Sequence, residues 1–124
     1  MATILVVNDE PSIRDLLQTV LVRKGHEVVT AQDGQKALLL FRLDRPDVTI
    51  LDLKLPDIDG INLLRQIHAV NPHHPVIILT GRGTEVDEQQ ARELGVIEFI
   101  QKGFSLHVLG KALLRALNYP VAGR

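Results

Sequence analysis

Asp47-Val48-Thr49-Ile50-Leu51-Asp52 is a short run closed at each end by a carboxylate. Val48 to Leu51 reads as a strand buried on both faces, because every residue in it is β-branched or leucine. Asp52 stands where that strand ends. Leu53-Lys54-Leu55-Pro56 and the turn-rich Asp57-Ile58-Asp59-Gly60 follow it. Open α/β sheets build their sites outside the carboxyl ends of their strands. A strand that delivers an acid there raises the question of what its neighbours deliver.

Upstream, Thr3-Ile4-Leu5-Val6-Val7 is a second β-branched run, which stops at Asn8-Asp9-Glu10-Pro11. Pro11 suits the first turn of a helix. Ile13, Leu16, Leu17, Val20 and Leu21 then recur at helical spacing, and Lys24-Gly25 ends the helix. Glu27-Val28-Val29-Thr30 reads as a short strand. Ala37, Leu38 and Phe41 give a second helical face through about Leu43, widened by Leu39 and Leu40. Arg45-Pro46-Asp47 is a turn, since proline disfavours helix at the residue before it.

Downstream, a third helix begins near Asp59-Gly60, with Leu63, Leu64 and Ile67 inward, and breaks at Asn71-Pro72. Val76-Ile77-Ile78-Leu79-Thr80 is strand four. After Gly81-Arg82-Gly83, helix four spans roughly Thr84 to Leu94, with a thin stripe of Val86, Ala91 and Leu94. Val96 to Ile100 reads as strand five. Helix five runs from about Ser105 to Asn118, with Leu106, Leu109, Leu113 and Leu117 on one side. Val108, Ala112, Leu114 and Ala116 add apolar surface, whose plain reading is a wide buried face. Five alternations of strand and helix predict an α/β domain, a parallel sheet covered on both faces by right-handed crossovers. Alternation alone leaves a flavodoxin-like and a Rossmann strand order open.

Composition narrows the function. A chain of 124 residues with 45% apolar content favours one domain with one core. Absence of cysteine excludes disulfides and thiolate sites. A formal net charge of −1 argues against direct nucleic-acid binding by this domain. Apolar runs such as Ile4–Val7 and Val76–Leu79 are far too short to span a bilayer. The N-terminal residues lack a signal-peptide layout, so a cytoplasmic setting is expected.

The strand exits carry Asn8 and Asp9, Asp52, Thr80 and Lys102. In a parallel sheet these ends share one edge. The bland reading is that polar residues mark where buried strands meet water. The sharper one is chemical: two carboxylates and an amide suit an oxygen-bound Mg²⁺ with waters, and a lysine and a hydroxyl suit phosphoryl oxygens. Asp52 can then serve as metal ligand and as nucleophile, in a site that works by positioning and charge neutralisation.

Taken together, Ile4 to Pro11, Leu51 to Pro56 with Asp59-Gly60, Ile78 to Gly81, and Phe99 to Lys102 resemble the receiver domain of two-component response regulators. The resemblance covers nearly the whole chain. It implies a single (βα)5 flavodoxin-like domain over residues 1–118, sheet order 2-1-3-4-5, with 119–124 a tail or the start of a linker. It further implies that Asp52 accepts a phosphoryl group from a histidine kinase or phosphotransfer protein. Asp9 and the backbone carbonyl of Lys54 would bind Mg²⁺, Thr80 and Phe99 would switch, and Lys102 would pair with the phosphoryl group. Self-catalysed phosphotransfer and slow autodephosphorylation are expected rather than conventional enzyme activity. Output would pass through the helix four, strand five and helix five face to a second copy or an output domain.

Two positions depart from that pattern. Asn8 stands where the family usually has an acid that reaches the metal through water, so weaker Mg²⁺ binding is expected. Gly103 stands where the family usually has proline. A trans Lys102-Gly103 bond is therefore expected, because a non-proline cis bond costs about 3 kcal/mol, and Lys102 would be less rigidly aimed. Lys54 and Arg82, two residues after Asp52 and Thr80, occupy positions that modulate acyl-phosphate hydrolysis in the family; their plain reading is exposed loop charge. Rival readings are a degenerate receiver that acts as a phosphorylation-independent protein-binding module, and a flavin- or nucleotide-binding protein. The acidic Asn8-Asp9-Glu10-Pro11 loop disfavours the latter's anionic ligand. His73-His74 reads as a solvated pair, Asp57 to Gly60 as a turn without calcium-loop spacing, and Gly81-Arg82-Gly83 as a mobile loop without the P-loop ending.

Overall fold

The β-branched runs form the sheet that their composition favours. In the computed structural model, which describes residues 1–101, 103 and 105–118, the strands are β1 (Thr3–Val7), β2 (Glu27–Ala31), β3 (Val48–Leu51), β4 (Val76–Thr80) and β5 (Glu98–Gln101). The helices are α1 (Pro11–Arg23), α2 (Gly34–Asp44), α3 (Gly60–Val70), α4 (Glu85–Glu93) and α5 (Leu106–Leu117). All strands are parallel, in the order β2-β1-β3-β4-β5. This is the expected flavodoxin-like order, with β1 and β3 side by side in the middle. Lys102 and residues 119–124, to which the sequence assigns roles, lie outside the described residues.

Side-chain alternation along the strands divides the core into two layers. Leu5, Val7, Leu51, Ile78 and Phe99 face one side and pack against Ala37 and Phe41 of α2, Leu64 and Ile67 of α3, and Ala91 of α4. Ile4, Val6, Ile50, Ile77 and Ile100 face the other and pack against Leu17 and Leu21 of α1 and Leu109, Leu113 and Ala116 of α5. Strands covered on both faces account for runs without polar alternation. No helix among the described residues is long and apolar enough to cross a membrane.

Several local expectations are corrected. β2 runs one residue further, to Ala31. β5 starts at Glu98, two residues later than its apolar run suggests. Val96 still belongs to the end of α4: its N–H donates to the Ala91 carbonyl and that of Gly95 to Arg92. These paired bonds form a Schellman cap, closed by Gly95 at φ +84°. Leu16, Val86 and Leu106, expected inward, are exposed. The apolar face of α5 is likewise narrower than expected, since Val108 and Leu114 also face solvent. Of the histidine pair, His73 is exposed but His74 is buried, its Nε2 2.8 Å from the Thr49 hydroxyl and its ring edge-on to Phe41.

Candidate functional site

Register builds the site. Val7 of β1 pairs with both Ala31 and Leu51, and Leu51 pairs with Ile78, so β1, β3 and β4 deliver their last residues to one edge. The ladder runs one step beyond the strands. The Asp52 N–H donates to the Val7 carbonyl at 2.9 Å and the Asn8 N–H to Ala31 at 3.0 Å. Backbone pairing therefore fixes where both side chains begin.

Asp52, Thr80 and Asn8 are buried at this edge, while Asp9 is exposed beside them. Burial pushes the Asp52 carboxyl above its ordinary range. The Thr80 hydroxyl and the N–H groups of Lys54 and Leu53 oppose that shift, and the negative charge of Asp9 adds to it. The Lys54 N–H donates to Asp52 Oδ1 at 3.3 Å, and the Arg82 N–H donates to Thr80 Oγ1 at 3.3 Å. Asp52 opens onto a cleft of about 470 Å³ shared with Asn8, Leu79, Arg82 and Gly103. Asp9 lines a neighbouring cleft of about 300 Å³ with Lys54, Pro56, Asp59 and Arg82.

The charge of Asp9 adds to the cost of ionising Asp52, and a hard cation beside them would relieve that repulsion. Among the described residues no cluster of three acidic, histidine or cysteine side chains forms a complete cage. Asp9 and Asp52 offer carboxylate oxygens at the two clefts, a donor type that suits Mg²⁺ with waters. Asn8 departs from a ligand's arrangement: its Oδ1 accepts the Glu10 N–H at 2.9 Å, and its carbonyl accepts from the Arg14 guanidinium at 2.8 Å. Gly103 takes φ +84°, which proline with φ near −65° cannot adopt. The departure from proline therefore goes with a different backbone at that position.

Phe99 is buried beneath the edge. A Cβ at Gly83 would stand 2.7 Å from Phe99 Cζ and 2.8 Å from Thr80 Cγ2. Gly83 thus admits the aromatic ring next to Thr80, a role that reading the loop as mobile overlooks. Asp57 is the other residue that sequence reasoning passes over. Its carboxylate reaches the start of α2, 22 and 23 residues away, and no local pattern signals so distant a partner.

The sequence profile of the response regulator receiver domain family matches residues 4–114. The alkaline phosphatase synthesis transcriptional regulatory protein PhoP of Bacillus subtilis is 40% identical over 115 residues, covering 90% of this chain and 48% of that protein. The chain spans about half the length of the curated relatives it matches. A response regulator receiver domain protein from Clostridium thermocellum superposes with a TM-score of 0.90 at 35% identity, over 95% of each chain. NtrX from Brucella abortus gives 0.86 at 37% identity, over 94% of this chain and 27% of that one. With the strand order, the clustered edge residues and these matches in agreement, the chain belongs to the response regulator receiver domain family.

Proposed function

We propose that this receiver domain is a phosphorylation-controlled signalling switch. Asp52 accepts the phosphoryl group, supplied by a partner histidine kinase or phosphotransfer protein. The observation that carries the reading is a buried carboxylate at a strand exit, raised in pKa, next to the Thr80 hydroxyl and the charge of Asp9. An Asp52 oxygen attacks phosphorus, the bond from phosphorus to the donor histidine nitrogen breaks, and its electron pair stays on that nitrogen. Asp9, Asp52 and the Lys54 carbonyl would hold a Mg²⁺ ion, and Asn8 would contribute weakly through water. Mg²⁺ bound there supplies positive charge to the phosphoryl oxygens. Thr80 donates to a phosphoryl oxygen, Lys102 pairs with another, and Phe99 follows Thr80.

The added group brings close to two negative charges at neutral pH. The signal leaves through α4, β5 and α5, to a second copy or an output domain. Residues 1–118 form the receiver, and 119–124 lead out of it as tail or linker. Relatives of about twice this length are transcriptional regulatory proteins, which supports an attached output module as the recipient. A second reading, a receiver used only for binding, draws on the engagement of Asn8 Oδ1 by the Glu10 N–H and on Gly103.

Intact mass after acetyl phosphate and Mg²⁺ separates the two. Wild type is expected to gain one phosphoryl mass and Asp52→Ala none. No gain in either protein would favour the binding module.

A further inference from the structure

Asp57 has no part in the chemistry above, yet its carboxylate makes two short hydrogen bonds. It lies midway along the loop from Asp52 to α3, and both oxygens reach out of that loop. Oδ1 accepts the Gly34 N–H at 2.8 Å and Oδ2 the Gln35 N–H at 2.9 Å. These are two of the amide donors that a helix leaves unsatisfied at its start. The Lys36 N–H goes instead to Asp33 Oδ1 at 2.8 Å, and the Ala37 N–H to the Asp33 carbonyl at 3.1 Å. The start of α2 is thus completed by one local carboxylate and one distant one. The contact is close: a Cβ on Gly34 would run into Ile58 Cγ2 and stand 3.3 Å from Asp57 Oδ1.

The same loop carries Lys54. Its ends are fixed by their own backbone: Lys54 bridges to Asp59, and the Gly60 N–H returns to the Leu53 carbonyl at 2.9 Å. Its middle is fixed by α2, through Asp57 and Ile58. We propose that Asp57 is a positioning residue for the phosphorylation site: by clamping the β3–α3 loop onto the start of α2, it holds the Lys54 carbonyl beside Asp9 and Asp52. The inference rests on the reading of those three residues as a cation site.

Asp33 provides the control, because its carboxylate caps the same helix locally, through the Lys36 N–H. The test is calorimetric titration with Mg²⁺ of wild type, Asp57→Ala, Asp57→Asn and Asp33→Ala, with amide hydrogen exchange on the same proteins. Asp57→Ala is expected to weaken Mg²⁺ about tenfold, as for groups that orient metal ligands. It should also speed exchange from Leu53 to Ile58 and at Gly34 and Gln35. Asp57→Asn keeps an acceptor oxygen and should fall between. Asp33→Ala should speed exchange at Lys36 and leave Mg²⁺ affinity unchanged. Equal losses in Asp33→Ala and Asp57→Ala would make Asp57 a helix cap and overturn the inference, as would unchanged affinity in Asp57→Ala. A wild type that binds no Mg²⁺ would overturn the cation-site reading together with it.

Discussion

Asp52 pairs an exact backbone placement with an unfavourable charge. Its carboxyl is raised above 3.8 by burial and by Asp9, so the folded state holds the proton more tightly than the unfolded one. Its contribution to stability is present below pH 3.8 and is lost as pH rises through the raised value. Asp52→Asn cannot ionise, so it should melt higher than wild type at pH 7, by on the order of a few degrees. The gap should close as pH falls below the ordinary carboxylate range, and identical melting curves at pH 7 would contradict this account. Asn8→Asp should tighten Mg²⁺ several-fold by restoring a negative charge, and an unchanged calorimetric affinity would remove the charge argument. Gly83→Ala should cost about 1–3 kcal/mol in urea unfolding by crowding Phe99 and Thr80. Phe99→Leu should recover part of that loss in the double variant. Asp52, Thr80 and Asn8 were legible in the sequence because each ends an apolar run. Gly83 and Asp57 were not, since a close approach across 16 residues and a cap across 23 leave no periodic trace.

Among the elements, α4 is the least anchored. It buries only Ala91 and depends on its ends: a Thr84–Asp87 capping box at one and the Gly95 cap at the other. Thr84→Ala should cost about 1 kcal/mol, and α4 amides should exchange faster than those of α3, which buries Leu63, Leu64 and Ile67. Exchange in α4 as slow as in α3 would refute this. That α4 has little to bury was readable, although Val86, expected inward, is exposed; the start of β5 was not, because Val96 looks like strand and spends its N–H on the cap. Glu98, at the start of β5, holds Arg92 of α4 at 3.1 Å and Arg115 of α5 at 2.9 Å. Both arginines are about half exposed, at 50% and 57%. Glu98→Gln should therefore cost under about 1 kcal/mol, less in high salt. These pairs tie together the three elements proposed to carry the output.

In the molecule as a whole, the two edges of the sheet divide their tasks. The carboxyl edge gathers charge and hydroxyl; the amino edge holds a buried polar knot, where His74 meets Thr49 and its carbonyl accepts from His68 Nε2 at 3.0 Å. Thr49→Val should cost about 1–3 kcal/mol and leave the phosphoryl mass gain intact, so a lost gain would show that the edges are coupled. The layer pattern was legible because both-face burial writes continuous apolar runs; the strand order was not, and entered only by family resemblance. That order has a consequence for synthesis. β1 is translated first, yet it lies between β2 and β3 in the finished sheet. A nascent chain that has emerged only as far as α2 can cover one flank of β1 while the other stays open. Once β3 arrives, its own outer flank waits for Val76–Thr80. Until β5 is made the chain thus presents an apolar strand edge with unpaired amides, the form most prone to wrong partners. Each strand made after β3 closes the flank left open by the one before it and opens a new one, so the exposed edge moves along the sheet as synthesis proceeds.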